Sequence, residues 1–202
     1  MYRAAKEQGV KPVLGIEGYF APDRFDKREK ATRTEKLDQL YNHIIVLAKN
    51  ANGLENLNKI NELAWTEGFY TKPRMDFELL DKYGEDLIVS SACMGGLINQ
   101  AIEQNEYAVA KNHLRWFSQR FGDDFYVELM PHNVAGMNTA LYDMANAMGI
   151  KSIVTPDCHH CTIDQKVEQE IMLALSTHPK LEKDVTYEKS KSYKNMMDRL
   201  DY

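Results

Sequence analysis

The feature that most restricts the fold is an alternation. Apolar runs too short to be helices recur along the chain, and most are followed by a segment with helical spacing. The runs cover residues 11–19, 41–49, 86–90, 125–129 and 150–154. Each has strand length and carries β-branched residues, aromatic residues or both. The helical segments are just as regular. Leu54, Leu57, Ile60, Leu63 and Ala64 form one apolar face after Asn52, which is expected to cap it. Asp76 is placed to cap a short helix over 77–83, and helices are expected over 96–103, 107–121, 138–148 and 163–175. Ala110, Leu114, Phe117 and Phe121 share one side of the fourth, and Ile171, Ala174 and Leu175 are expected to face inward in the last. Repeated strand–helix alternation calls for parallel strands and an α/β architecture, either barrel or open sheet. Residues 1–8 read as a helical fragment stopped by Gly9, so the chain opens on half a helix–strand unit and reads as missing its beginning.

Composition narrows the class. The 202 residues suit one domain with a sizeable core, and 44% hydrophobic with 27% charged residues indicates a globular chain. A net charge of -5 argues against a broad nucleic-acid-binding surface, while leaving room for a local basic channel. No apolar run approaches the roughly 20 residues that span a bilayer. Three scattered cysteines suit a reducing cytoplasm. Residues 22–40 form a charge-rich loop of mixed sign, and beyond Thr177 the chain turns polar and lysine-rich with no readable core.

In α/β folds functional groups gather where strands end. Asp157 and His159, two residues apart after the run ending at Val154, can aim at one cation. Glu17 sits in an otherwise apolar strand, where an acid is costly unless it is paired, ligating or facing water. Cys93 follows a short strand as Asp157 does, and is either a small buried apolar group or a soft ligand. His43 lies at a strand start, where a histidine is commonly structural. Thiolate, imidazole and carboxylate together suit zinc, or manganese or iron where carboxylates dominate. The chain has no GxxxxGK[ST], GxGxxG or GxSxG, so nucleotide cradles and serine hydrolysis have no support. Cys158 and Cys161 lack the second pair that a zinc ribbon needs.

Five segments in order carry a resemblance: Gly15-Ile-Glu-Gly-Tyr19, His43-Ile-Ile-Val-Leu-Ala-Lys-Asn50, Glu67-Gly-Phe-Tyr-Thr-Lys-Pro-Arg74, Ser91-Ala-Cys93 and Thr155-Pro-Asp-Cys-His159. Together they resemble the PHP (polymerase and histidinol phosphatase) domain, in the branch carried by bacterial DNA polymerase III alpha subunits. The match runs from Tyr2 to about Thr177, with 178–202 expected to begin the connection to a polymerase core. Free-standing PHP phosphatases lack the Gly-Phe-Tyr-x-Lys-Pro-Arg segment, which counts against that alternative.

The resemblance implies a distorted seven-stranded β/α barrel, here lacking its first strand, with metal ligands at Glu17, His43, Cys93, Asp157 and His159. It implies zinc or manganese, phosphodiester hydrolysis at a 3′ end where the site is complete, and a place in DNA replication. The implied partners are DNA through a parent polymerase and replisome proteins such as a proofreading subunit, with no membrane. The family's opening His-x-His and Ser-Asp-His-Gly motifs are not in this sequence. The chain is therefore expected to be a fragment truncated at both ends, not catalytic alone, and holding at most one weak divalent site. The alternative from another class is a non-catalytic domain that docks on replisome proteins.

Overall fold

A computed structural model describes residues 2–27 and 41–177. Their order is α1 (Tyr2–Glu7), β1 (Gly15–Phe20), β2 (Asn42–Ala48), α2 (Ala51–Thr66), β3 (Arg74–Met75), α3 (Phe77–Tyr83), β4 (Leu87–Ser90), α4 (Leu97–Glu103), α5 (Tyr107–Phe121), β5 (Phe125–Leu129), α6 (Met137–Ala147), β6 (Lys151–Val154) and α7 (Lys166–Thr177). The expected charged loop from residue 28 to 40 and the segment 178–202 lie outside the described residues. The described residues form two units. One takes in the described residues up to Leu129 together with Asn133–Val154, the other Met130–His132 and the described residues from Thr155 on.

The first unit holds a six-stranded sheet in the order β3-β1-β2-β4-β5-β6. Parallel pairings join β1 to β3, β4 to β5 and β5 to β6. The expectation of parallel strands throughout is corrected at β2, which is antiparallel to both β1 and β4. No described helix separates β1 from β2, so the strand–helix alternation that enforces parallel pairing breaks at this step. The architecture is mixed α/β.

Period-two alternation sets the faces of the central strands. Gly18 and Phe20 of β1, with Asn42, Ile44 and Val46 of β2, turn into the core, while Glu17, Tyr19 and His43 take the other face. Buried Ile60, Leu80, Leu87, Ile98, Leu114 and Leu141 from the flanking helices and β4 complete the core. The α5 stripe is buried as its spacing predicts. Phe117 stacks on Phe125 with ring centroids 5.2 Å apart.

Several local expectations shift. Asn50, not Asn52, caps α2, its Oδ1 accepting from Gly53 N at 2.9 Å, while Asn52 donates to Asp86. Residues 11–14 are outside β1, and the expected loop after α2 contains the two-residue strand β3. The run before Asp157 is not a buried strand, since Val154 is 79% exposed. Among the described residues, β6 stands at the end of the sheet and pairs only with β5. Ile171 of α7 is exposed rather than inward, and the side chains of Ala174 and Leu175 are outside the described set.

Candidate metal centre

The reversal of β2 brings three of the expected residues together. Because β2 runs against both neighbours, its start lies where β1 and β4 end. His43, the second residue of β2, is paired with Tyr19 near the end of β1, and its backbone N–H donates to Gly95 O at 2.8 Å in the loop after β4. Glu17 reaches His43 diagonally, two residues along the ladder from the Tyr19–His43 pair. The position of His43 at a strand start is therefore what places it at the site.

The side chains converge. His43 Nδ1 lies 2.9 Å from Glu17 Oε1 and 3.4 Å from Cys93 Sγ. One ligand atom from each of Glu17, His43 and Cys93 falls within 4.8 Å of the other two. Burial grades across the group: Cys93 is 9% exposed, His43 is half-buried and Glu17 is exposed. The hydrogen bond to Cys93, then that to Glu17, outweighs burial and raises the imidazole to about 10.

The backbone around the triad leaves little freedom. Ala92, fully buried, sits at φ 58°, a left-handed conformation costly for a residue with a Cβ, immediately before Cys93. A Cβ at Gly95 would lie 3.2 Å from His43 Nδ1, so glycine there leaves room for the ring. Asn99, buried on α4, donates to Cys93 O at 2.8 Å and holds the loop from behind.

The donor set fits a divalent ion. Distances of 2.9 and 3.4 Å from the imidazole nitrogen to the carboxylate oxygen and the sulfur, with all three atoms within 4.8 Å of one another, suit bonds of roughly 2.0–2.3 Å to zinc, with a fourth position left open. Thiolate and imidazole favour zinc over harder cations.

Asp157 and His159 belong to the second unit. Asp157 is another non-glycine residue in the left-handed region, at φ 50°. His159 Nδ1 is 2.7 Å from Asp157 O. Donation from Nδ1 to that carbonyl leaves Nε2 as the lone-pair nitrogen, the arrangement usual for a metal-ligating histidine. Sequence reasoning missed His132, whose Nε2 lies 3.8 Å from Asp157 Oδ2 with a side chain only 6% exposed. Its place just beyond β5, at a strand end, was the available signal. Cys158 and Cys161 are exposed and free.

A second network fixes the edge of the sheet beside the triad. Arg74 is fully buried and donates to three backbone carbonyls: Gly68 at 3.1 Å, Asp26 at 2.7 Å and Arg24 at 2.6 Å. Arg24 in turn donates to Asp76 at 2.9 Å, Glu67 at 2.8 Å and Glu78 at 3.0 Å. Burial opposes the Arg24 charge, but those carboxylates outweigh it and hold the guanidinium above its ordinary range. The Glu67-to-Arg74 segment is thus anchored at its base by interior arginine contacts.

The mixed α/β fold is consistent with a PHP-type domain, and a profile of the PHP domain matches residues 1–132; the chain belongs to that family. Its relatives are alpha subunits of DNA polymerase III. It is 38% identical over 178 residues to DNA polymerase III subunit alpha of Aquifex aeolicus (strain VF5), covering 86% of this chain and 15% of that protein. The corresponding protein of Borreliella burgdorferi (strain ATCC 35210 / DSM 4680 / CIP 102532 / B31) is 37% identical over 183 residues, covering 89% and 16%. That of Thermus aquaticus is 34% identical over 185 residues, covering 90% and 15%. The chain therefore spans about 15% of the length of the curated relatives it matches. No described helix is long and apolar enough to cross a membrane.

Proposed function

We propose that this chain is the metal-holding PHP portion of a DNA polymerase III alpha subunit, acting in the cytoplasm within DNA replication. The observation that carries the proposal is the convergence of Glu17, His43 and Cys93 ligand atoms within 4.8 Å. Glu17 supplies a carboxylate oxygen, His43 its Nδ1 and Cys93 its thiolate. Asp157 and His159 form a second ligand pair. A bound zinc or manganese ion would polarise a phosphodiester oxygen and lower the pKa of bound water, the chemistry of hydrolysis at a 3′ end. Around it, Glu17 and Cys93 would offset the ionic charge, and the Ala92–Gly95 backbone would keep His43 oriented. The proposed domain runs to about residue 177, and the proposed fold is the distorted β/α barrel of the family. DNA, reached through a longer polymerase, and a proofreading subunit are the proposed partners.

Cobalt substitution tests it. The chain loaded with cobalt should show a thiolate-to-metal charge-transfer band that disappears in Cys93→Ser and persists in a Cys158→Ser, Cys161→Ser double variant. A band that follows Cys158 and Cys161 instead would move the ion away from the triad and sink the proposal.

A further inference from the structure

The open face of β1 carries more than Glu17 of the metal triad. Tyr19 lies two residues beyond Glu17 on the same face and meets His43 edge-on, with ring centroids 5.8 Å apart. Tyr41 packs edge-on against Tyr19 at 4.8 Å. Lys72 Nζ stands over the Tyr19 ring, 5.1 Å from its centroid. One tyrosine ring therefore separates an ammonium group from a metal-ligand imidazole. Among the described residues, no carboxylate forms an ion pair with Lys72.

Placing that lysine has required effort from the chain. Lys72 ends a tight reversal in which Tyr70 N donates to Lys72 O at 3.0 Å. Thr71 at its apex has φ 62°, a left-handed value unfavourable for a β-branched residue. Pairing of Arg74 with Tyr19 then lays the segment beside β1. The buried Arg74 fork and the Arg24 cluster fix its base. A solvated lysine needs none of this, and strain that persists in an over-determined segment points towards a function for the group it presents.

We infer that Lys72 is the anion-binding group beside the triad, taking a phosphate oxygen of a nucleic-acid 3′ end while Tyr19 and Tyr41 wall the intervening space. This rests on the proposed metal site and adds to it the group that holds the substrate's charge. Lysine suits the task as a compact point charge on a mobile stem, and the aromatic ring beneath keeps it extended without neutralising it. With a divalent ion bound, the carboxylate and thiolate of the triad cancel its charge, so a further cation nearby adds the attraction that draws a phosphate in.

The test uses the full chain, zinc-loaded, with a fluorescent oligothymidylate ending in a hydrolysis-resistant 3′ phosphorothioate linkage. Zinc uptake is measured first. With uptake unchanged, Lys72→Ala should weaken oligonucleotide binding about tenfold, the scale of one charge-assisted hydrogen bond. It should also reduce the slope of log affinity against log salt by about 0.7, the value for one lost single-strand phosphate contact. Lys72→Arg should keep most of both. Unchanged affinity and slope with normal zinc uptake would overturn this inference and leave the metal site standing. Loss of zinc in Lys72→Ala would make the lysine structural and overturn it as well. If the wild-type chain takes up no zinc through Cys93, the reading beneath fails, and this inference fails with it.

Discussion

Replacing Asp76 with alanine tests the scaffold that presents the segment beside the triad. Asp76 is 4% exposed and Arg24 5%, so the pair is interior. Asp76 accepts from Arg24 Nη1 at 3.1 Å and 2.9 Å through its two oxygens, and from Arg24 N at 3.2 Å. It also caps α3 by accepting from Leu79 N at 3.0 Å. Loss of the cap alone costs about 1 kcal/mol. Loss of the charge-assisted bonds adds about 2 kcal/mol, held to that level because Glu67 and Glu78 still face the guanidinium. The expected total is about 3 kcal/mol, which for a chain of this length lowers Tm by roughly 10 °C. Thermal and urea unfolding of the full chain would measure it. Asp76→Asn, which keeps the cap acceptor but not the charge, should lose about half as much. An Arg24→Met, Asp76→Ala cycle should return a coupling of about 2 kcal/mol. A loss below about 1 kcal/mol for Asp76→Ala, or a coupling near zero, would refute the assignment of this cluster as a stabilising clamp.

Four further outcomes follow from the same geometry. His43→Ala or Glu17→Ala should lower zinc affinity by at least about tenfold in a competition assay with a chromogenic chelator, with little change in unfolding of the metal-free chain. Because His43 is raised to about 10 by Cys93 and then Glu17, an ion must displace a proton from it at neutral pH, so apparent zinc affinity should climb as pH rises towards that value. The sign for the metal-free chain is opposite: the imidazolium contribution is complete below about pH 6.5 and is lost as pH rises through about 10, a small loss because the side chain is 35% exposed, and His43→Gln should abolish it in melting curves. A Cβ at Gly68 would lie 2.1 Å from Arg74 O, so Gly68→Ala should destabilise the fold by about 2 kcal/mol in urea unfolding.

How much of this was legible in the sequence depended on whether a residue's role is set locally. α5 and β5 match the spans read from spacing, because an apolar stripe and a short apolar run suffice for each. Asp76 could be placed as a cap from its position before Phe77. The direction of β2 could not be read, since antiparallel pairing on both sides is a tertiary outcome. With it went the reason His43 belongs to the site: a strand start reads as remote until the strand is known to run backwards. The true cap of α2, Asn50 rather than Asn52, was two residues away, and asparagine suits a cap at either position. Tyr19 shares the face of Glu17 by simple alternation and was within reach, whereas Lys72 depends on the strained reversal at Thr71, which no pattern announces. His132 was overlooked although it stands after β5 as Cys93 stands after β4.

The most direct test of the account is X-ray absorption at the zinc edge of the zinc-loaded chain. Ligation by Glu17, His43 and Cys93 predicts one sulfur at about 2.3 Å with nitrogen and oxygen at about 2.0–2.1 Å, and loss of the sulfur shell in Cys93→Ser. Two sulfurs, which Cys158 and Cys161 could supply, or a shell of nitrogen and oxygen alone, would contradict it.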